Sequence, residues 1–208
     1  CVQTTTIGLQ LLYCSNDETI STKRNWSSVY YELLRMDTNC WVAQIIKNNE
    51  NFFLIDCGEG TQLRIRENKV SFNRITHIFI SHLHGDHFFG LPGLLSSFHL
   101  LGRTREVQLF GPKGLMEILD LQFKLSGTYL RYKINFTEVK GVNKSMIWED
   151  KSIEVYSFPL NHRIDCHGYF FQEKKKPNHL IFQKLQAYSI PKHFLNNIKQ
   201  GDDFVQEN

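Results

Sequence analysis

The sequence predicts an α/β sandwich. From Asn51 onward, short β-rich runs alternate with segments of helical period, which favours layered strands and helices over an all-α or all-β domain. Two of the runs, Phe52-Phe53-Leu54-Ile55 and Thr76 to Ser81, read as buried strands that end at turns. At 208 residues and 41% hydrophobic, the chain can bury one core of its own.

Residues 1 to 50 are polar and irregular, and Val42 to Ile46 is the one strand placed there. The strand Phe52 to Ile55 is halted by Asp56-Cys57-Gly58, and Gly60 to Glu67 forms a short helix. The strand Thr76 to Ser81 passes through a loop, His82 to Gly90, into a helix from Leu91 to Leu101. That helix starts near Pro92 and stops at Gly102. Val107 to Phe110 is a strand and Pro112-Lys113-Gly114 a turn. Leu115 to Leu125 is an amphipathic helix with Leu115, Ile118, Leu119 and Phe123 on one face. Strands follow at Ile134 to Val139, Ile153 to Phe158 and Tyr169 to Gln172. From Lys174 the chain turns basic and then helical at His193 to Lys199, which reads as an arm outside the core.

The net charge of +3 is too small to announce a nucleic-acid binder, though it leaves room for a local basic patch. Five dispersed cysteines without a Cys-x-x-Cys pair disfavour both a disulfide framework and a cysteine zinc site. No apolar run approaches the roughly 20 residues that span a bilayer, and no signal segment opens the chain. A soluble protein of the reducing cytoplasm is expected. Cys1 in place of Met is read as a processing or cloning boundary, not as a lipoprotein's first residue.

Chemistry concentrates in Ser81-His82-Leu83-His84-Gly85-Asp86-His87, three imidazoles and a carboxylate within six residues at a strand end. Borderline-soft zinc takes nitrogen and carboxylate oxygen, and four ligands this close cannot all reach one ion without distorting the loop. Two adjacent ions are expected, with Gly85 easing the bend between His84 and Asp86. Two zinc ions about 3.5 to 4 Å apart can hold a bridging hydroxide and stabilise in-line phosphodiester hydrolysis. The bland alternative is a loop of exposed histidines with Asp86 as a helix cap.

The segment His-x-His-x-Asp-His resembles the signature of metallo-β-lactamase-fold hydrolases. Phe53 to Gln62, Phe89 to Leu95, Leu160-Asn161-His162 and Gly168-Tyr169 resemble the matching segments of ribonuclease Z, and Arg24 to Ser28 is a fainter echo. The resemblance covers Asn51 to Glu173 and implies a metallo-β-lactamase-like αββα sandwich. It implies a catalytic domain over residues 1–173 and a protruding arm over 174–208 that grips transfer RNA. It further implies that His82, His84 and His162 bind one zinc while Asp86 and His87 bind a second. Asp86 doubles as proton acceptor, and Asp56 orients ligands. The family's later aspartate and histidine ligands have no counterpart before Asn208, so the chain is expected to lack its carboxy-terminal part and to complete one of two zinc sites.

The implied reaction is hydrolysis of precursor tRNA just after the discriminator base, by a homodimer in the cytoplasm. Another phosphodiesterase of the same fold, an inert RNA-binding fragment and a purely structural zinc protein are the rivals. His99 and His167 rival His162 as ligands, whereas His77, His179 and His193 read as structural or exposed. Cys57 reads as a packed thiol, and Asp56 has a bland reading as a turn former. Lys174, Lys175 and Lys176 are candidate phosphate contacts or simply a solvated run.

Overall fold

A computed structural model describes residues 8–11, 29–35, 41–48, 51–174 and 191–200. The two longest apolar runs lie at the centre of a six-stranded sheet. Its order is β2 (Val29–Arg35), β3 (Trp41–Asn48), β4 (Asn51–Ile55), β5 (Ile75–Phe79), β6 (Val107–Gly111) and β7 (Ile134–Glu138). β2, β3 and β4 pair antiparallel, and β4 through β7 run parallel. Parallel strands need crossovers, and three helices supply them: α1 (Thr61–Glu67), α3 (Leu91–Leu100) and α4 (Leu115–Leu125). Between β5 and α3 lies a single turn, α2 (Gly85–Phe88).

A second, antiparallel sheet has the order β1 (Gly8–Leu11), β10 (His167–Glu173), β9 (Ile153–Pro159) and β8 (Ser145–Glu149). Strand alternation explains how one chain fills two cores. Phe52 and Leu54 point with Ile78 and Ile80 into the helical side, against Leu91, Leu94, Leu95, Phe98, Leu115 and Leu119. Phe53, Ile55, Phe79 and Phe110 point the other way, against Val155, Tyr169 and Phe171 of the second sheet. Among the described residues the layers are therefore helix, sheet, sheet, three of the four layers of the metallo-β-lactamase-like αββα sandwich that the resemblance implies.

Several expectations need adjustment. The sequence pattern does not mark strands β1, β2 and β8, and the His82 to Gly90 loop contains the turn α2. Ile118 is exposed, whereas Leu115, Leu119 and Phe123 are buried, so the apolar stripe of α4 is narrower than its sequence spacing implied. The helical stretch at His193 is present as a 3-10 turn, Lys192–Phe194, followed by α5 (Leu195–Gln200). The fainter echo at Arg24 to Ser28, and His179, lie outside the described residues.

The packing converges on the carboxyl end of β5. Tyr169 donates its hydroxyl to the Ile80 carbonyl at 2.7 Å, and the His167 amide donates to the Ser81 carbonyl at 3.0 Å. The second sheet thus grips the chain just before the histidine loop. On the other side the exit of β4 staples the loop: the Cys57 amide donates to the His87 carbonyl at 2.7 Å, and the Gly90 amide to the Cys57 carbonyl at 2.9 Å. A Cβ at Gly90 would lie 2.1 Å from the Gly58 carbonyl oxygen, so only glycine permits this approach. Gln62 and Ser97 join α1 to α3 through a 2.7 Å hydrogen bond. The segments Asp56 to Gln62 and Gly90 to Leu95 thus build one cradle for the loop.

Candidate metal centre

Strand β5 ends at Phe79, and His82 and His84 lie within the five residues that follow it. The loop between β9 and β10 brings His162 to the same place. The rings of His82 and His162 lie 4.7 Å apart, and those of His84 and His162 4.9 Å apart. His82 Nε2 faces His84 Nδ1 at 3.0 Å. One nitrogen from each of the three lies within 4.8 Å of the other two, so three imidazoles can converge on one cation. Their exposure rises outward, from buried His82 through half-buried His84 to exposed His162.

His82 is prepared for ligation. Burial, aided by the neighbouring His87, lowers its pKa to about 4, which keeps the imidazole neutral with a lone pair to give. Its Nδ1 rests 2.9 Å from the Ser81 hydroxyl. Ser81 in turn donates to Asp56 Oδ2 at 3.1 Å, so its oxygen accepts from His82 Nδ1–H and leaves Nε2 free for the cluster.

Asp86 and His87 form a second group. His87 Nε2 lies 3.4 Å from Asp86 Oδ2, and its ring centroid is 4.0 Å from that of His82. On its far side, His87 Nδ1 meets Asp56 Oδ2 at 2.9 Å. Burial pulls the His87 pKa down, but the hydrogen bond and charge of Asp56, helped by Asp86, outweigh it and raise the net value. Asp56 is itself almost fully buried and adopts a left-handed backbone, φ 56°. The Ser81 amide, 2.8 Å from its Oδ1, and the contacts to Ser81 Oγ and His87 hold it there. A carboxylate that accepts an imidazole N–H fixes ring orientation in metal sites generally.

The rivals fall elsewhere. His99 lines a separate surface cleft with Tyr129 and Arg131, and its Nδ1 accepts the Arg131 amide at 3.1 Å. His167 is buried, with Nε2 3.4 Å from the Gly141 carbonyl and Nδ1 3.7 Å from Asp165. His77 sits between the sheets against Phe53 and Trp148. Cys57 is a buried thiol whose pKa burial raises far above its usual value, which fits packing and not nucleophilic attack. Lys174 pairs with Glu149, while Lys175 and Lys176 lie outside the described residues.

Two site features are not evident from sequence. Ser81 had no role there, although a serine directly before the first histidine is its only signal. Gly85 was assigned to backbone bending, yet its φ is not left-handed. A Cβ there would meet the Phe89 ring at 2.3 Å, so in this arrangement the missing Cβ leaves room for that ring.

Histidines that could hold a metal ion thus gather at the strand ends of an α/β sandwich, the setting of a metallo-β-lactamase-fold protein. YhfI of Bacillus subtilis, a solved metallo-β-lactamase-fold protein, shares that fold at 14% identity and a TM-score of 0.52, over 70% of this chain and 59% of that one. A family model described as Anti-Pycsar protein Apyc1 matches residues 36–188, and the chain belongs to that family. Ribonuclease Z of Bacteroides fragilis is 46% identical over 163 residues, 78% of this chain and 54% of that one. Ribonuclease BN of Erwinia tasmaniensis is 36% identical over 88% of this chain and 56% of its own length. The structure of human tRNase Z, short form, matches with 30% identity and a TM-score of 0.59, over 70% of this chain and 66% of that one. The chain resembles ribonuclease Z across the matched residues and spans about half the length of the curated relatives it matches.

Proposed function

We propose that this protein is a zinc-dependent endoribonuclease of the ribonuclease Z type, which removes the 3′ trailer of precursor tRNA by hydrolysing the phosphodiester after the discriminator base. The convergence of His82, His84 and His162 beside Asp86 and His87 carries the reading. The names of the relatives supply the substrate.

In this reading His82, His84 and His162 hold one zinc, and Asp86 and His87 contribute to a second. When bound, the ions supply Lewis-acid stabilisation of charge on the phosphoryl oxygens and lower the pKa of water. Asp86 is well exposed and accepts the proton that the attacking water loses at phosphorus. The O3′–P bond breaks and the departing O3′ takes a proton from solvent water, leaving a 3′ hydroxyl on the tRNA and a 5′ phosphate on the trailer. Asp56 keeps the His87 ring oriented, and Ser81 does the same for His82.

Residues 174–208 form the arm that holds tRNA, with Lys174, Lys175 and Lys176 as phosphate contacts once Lys174 exchanges Glu149 for phosphate. The arm of one subunit serves a partner in a homodimer. A cytoplasmic location follows from the substrate. Among the described residues no helix is long and apolar enough to cross a membrane.

The test is incubation of the zinc-loaded protein with a trailer-bearing precursor tRNA and sequencing of the new 3′ ends. Cleavage after the discriminator base, abolished by His82→Ala, is the expected result. Hydrolysis of a simple phosphodiester without precursor cleavage would favour the second reading, another phosphodiesterase of this fold. The description of the matching family model, which names Apyc1 and not ribonuclease Z, is the observation behind it.

A further inference from the structure

Phe89 is an aromatic side chain that the described residues leave 66% exposed, one residue along from Phe88, which is buried in the helical core. A ring this exposed gains little from burial on folding, so core packing among the described residues does not account for its placement. The ring is nonetheless held. Three of its atoms would lie 2.3, 2.6 and 2.7 Å from a Cβ at Gly85, so the ring edge rests on the backbone of the metal loop. The Phe88 ring contacts it on another side, centroid to centroid 5.1 Å at 64°. Phe89 also caps the turn Gly85–Phe88, three positions after Asp86, and residues three apart share one face of a helical turn. An oriented aromatic surface therefore lies open to solvent on the same face as Asp86.

We propose that Phe89 is a stacking platform for the nucleobase of the nucleotide whose phosphate lies against Asp86 and the histidine cluster. The proposal rests on the phosphodiester reading above for the position of the phosphate. A nucleobase is the ligand that fits, because stacking needs only a flat apolar face. It tolerates any base sequence, and an exposed ring offers no hydrogen bond to choose among bases. Gly85 has no Cβ, and the space this leaves is where the ring edge lies before any ligand arrives.

The test compares adenosine 5′-monophosphate with ribose 5-phosphate by calorimetry on the zinc-loaded protein, since the two ligands share the phosphate and differ by the base. The protein should bind the nucleotide on the order of tenfold more tightly than the sugar phosphate. Phe89→Leu should erase that difference, Phe89→Trp should keep it, and zinc content should stay unchanged in both. Equal affinities in the unsubstituted protein, a preference that survives Phe89→Leu, or no binding of either ligand would overturn the proposal. So would a change in sedimentation with Phe89→Leu, which would make the ring a protein contact. A nucleotide preference that depends on Phe89, in a protein that leaves precursor tRNA uncut, would sink the tRNA reading and uphold the platform.

Discussion

At the scale of single residues, Asp56 connects fold to chemistry, because it joins Ser81 and His87 from a left-handed backbone that few residue types adopt readily. Asparagine tolerates that backbone, so Asp56→Asn removes the charge and leaves the turn. Metal affinity or hydrolytic rate should fall by about 10- to 100-fold with an unchanged circular dichroism spectrum, and an unaltered affinity and rate would refute the orienting role. His77 makes a different case. Burial, reinforced by Arg105, lowers its pKa from 6.5 to about 4, so between those values the unfolded chain binds a proton that the folded chain refuses. Stability is full above pH 6.5, declines as pH falls, and levels off below about pH 4, a loss of about 3 kcal/mol from this group. In urea titrations at pH 7 and pH 4, the stability gap should shrink by about that much in His77→Phe, and an unchanged gap would refute the assignment. The candidate ligands His82, His84, Asp86 and His87 were legible in sequence because six consecutive positions carry them, whereas His162 stood out only through its place after a strand and the family resemblance. Ser81 was not, since a serine's hydrogen-bond partners depend on chain segments 25 residues away.

At the scale of elements, the metal loop keeps its shape through contact with the exit of β4, and glycines set the distance. Gly90→Ala places a Cβ 2.1 Å from a backbone oxygen, where no side chain can yield. It should cost about 2 to 3 kcal/mol in denaturant and weaken metal binding. Gly60→Ala is the control: φ is +79° but nothing lies within 4 Å, so about 1 to 2 kcal/mol of backbone strain should leave metal affinity alone. Equal effects of the two on metal affinity would contradict the cradle. Strands β4, β5, β6 and β9 were readable because their apolar runs are continuous or cleanly alternating. β8 was not: Ser145-Met146-Ile147-Trp148-Glu149 lies at the edge of its sheet, where half-exposed side chains blur the period. Ile118 misled for a related reason, since a helix covering only one face of a sheet buries a narrower stripe than its apolar residues mark out.

For the whole molecule, two cores meet at the carboxyl end of β5, one filled by helices and the other by the antiparallel sheet. The sites are asymmetric. Three imidazoles from β5 and the β9–β10 loop gather at one point, while Asp86 and His87 stand as a pair beside it. The helical stretch near the carboxyl end was readable from its local period. The central claim is that His82, His84 and His162 together form a metal site. Zinc analysis of the 208-residue chain after dialysis, beside the same chain with His162→Ala, tests it most directly. The account predicts close to one tightly held zinc per chain, lost in His162→Ala. Two tightly held ions, or zinc retained without His162, would contradict it.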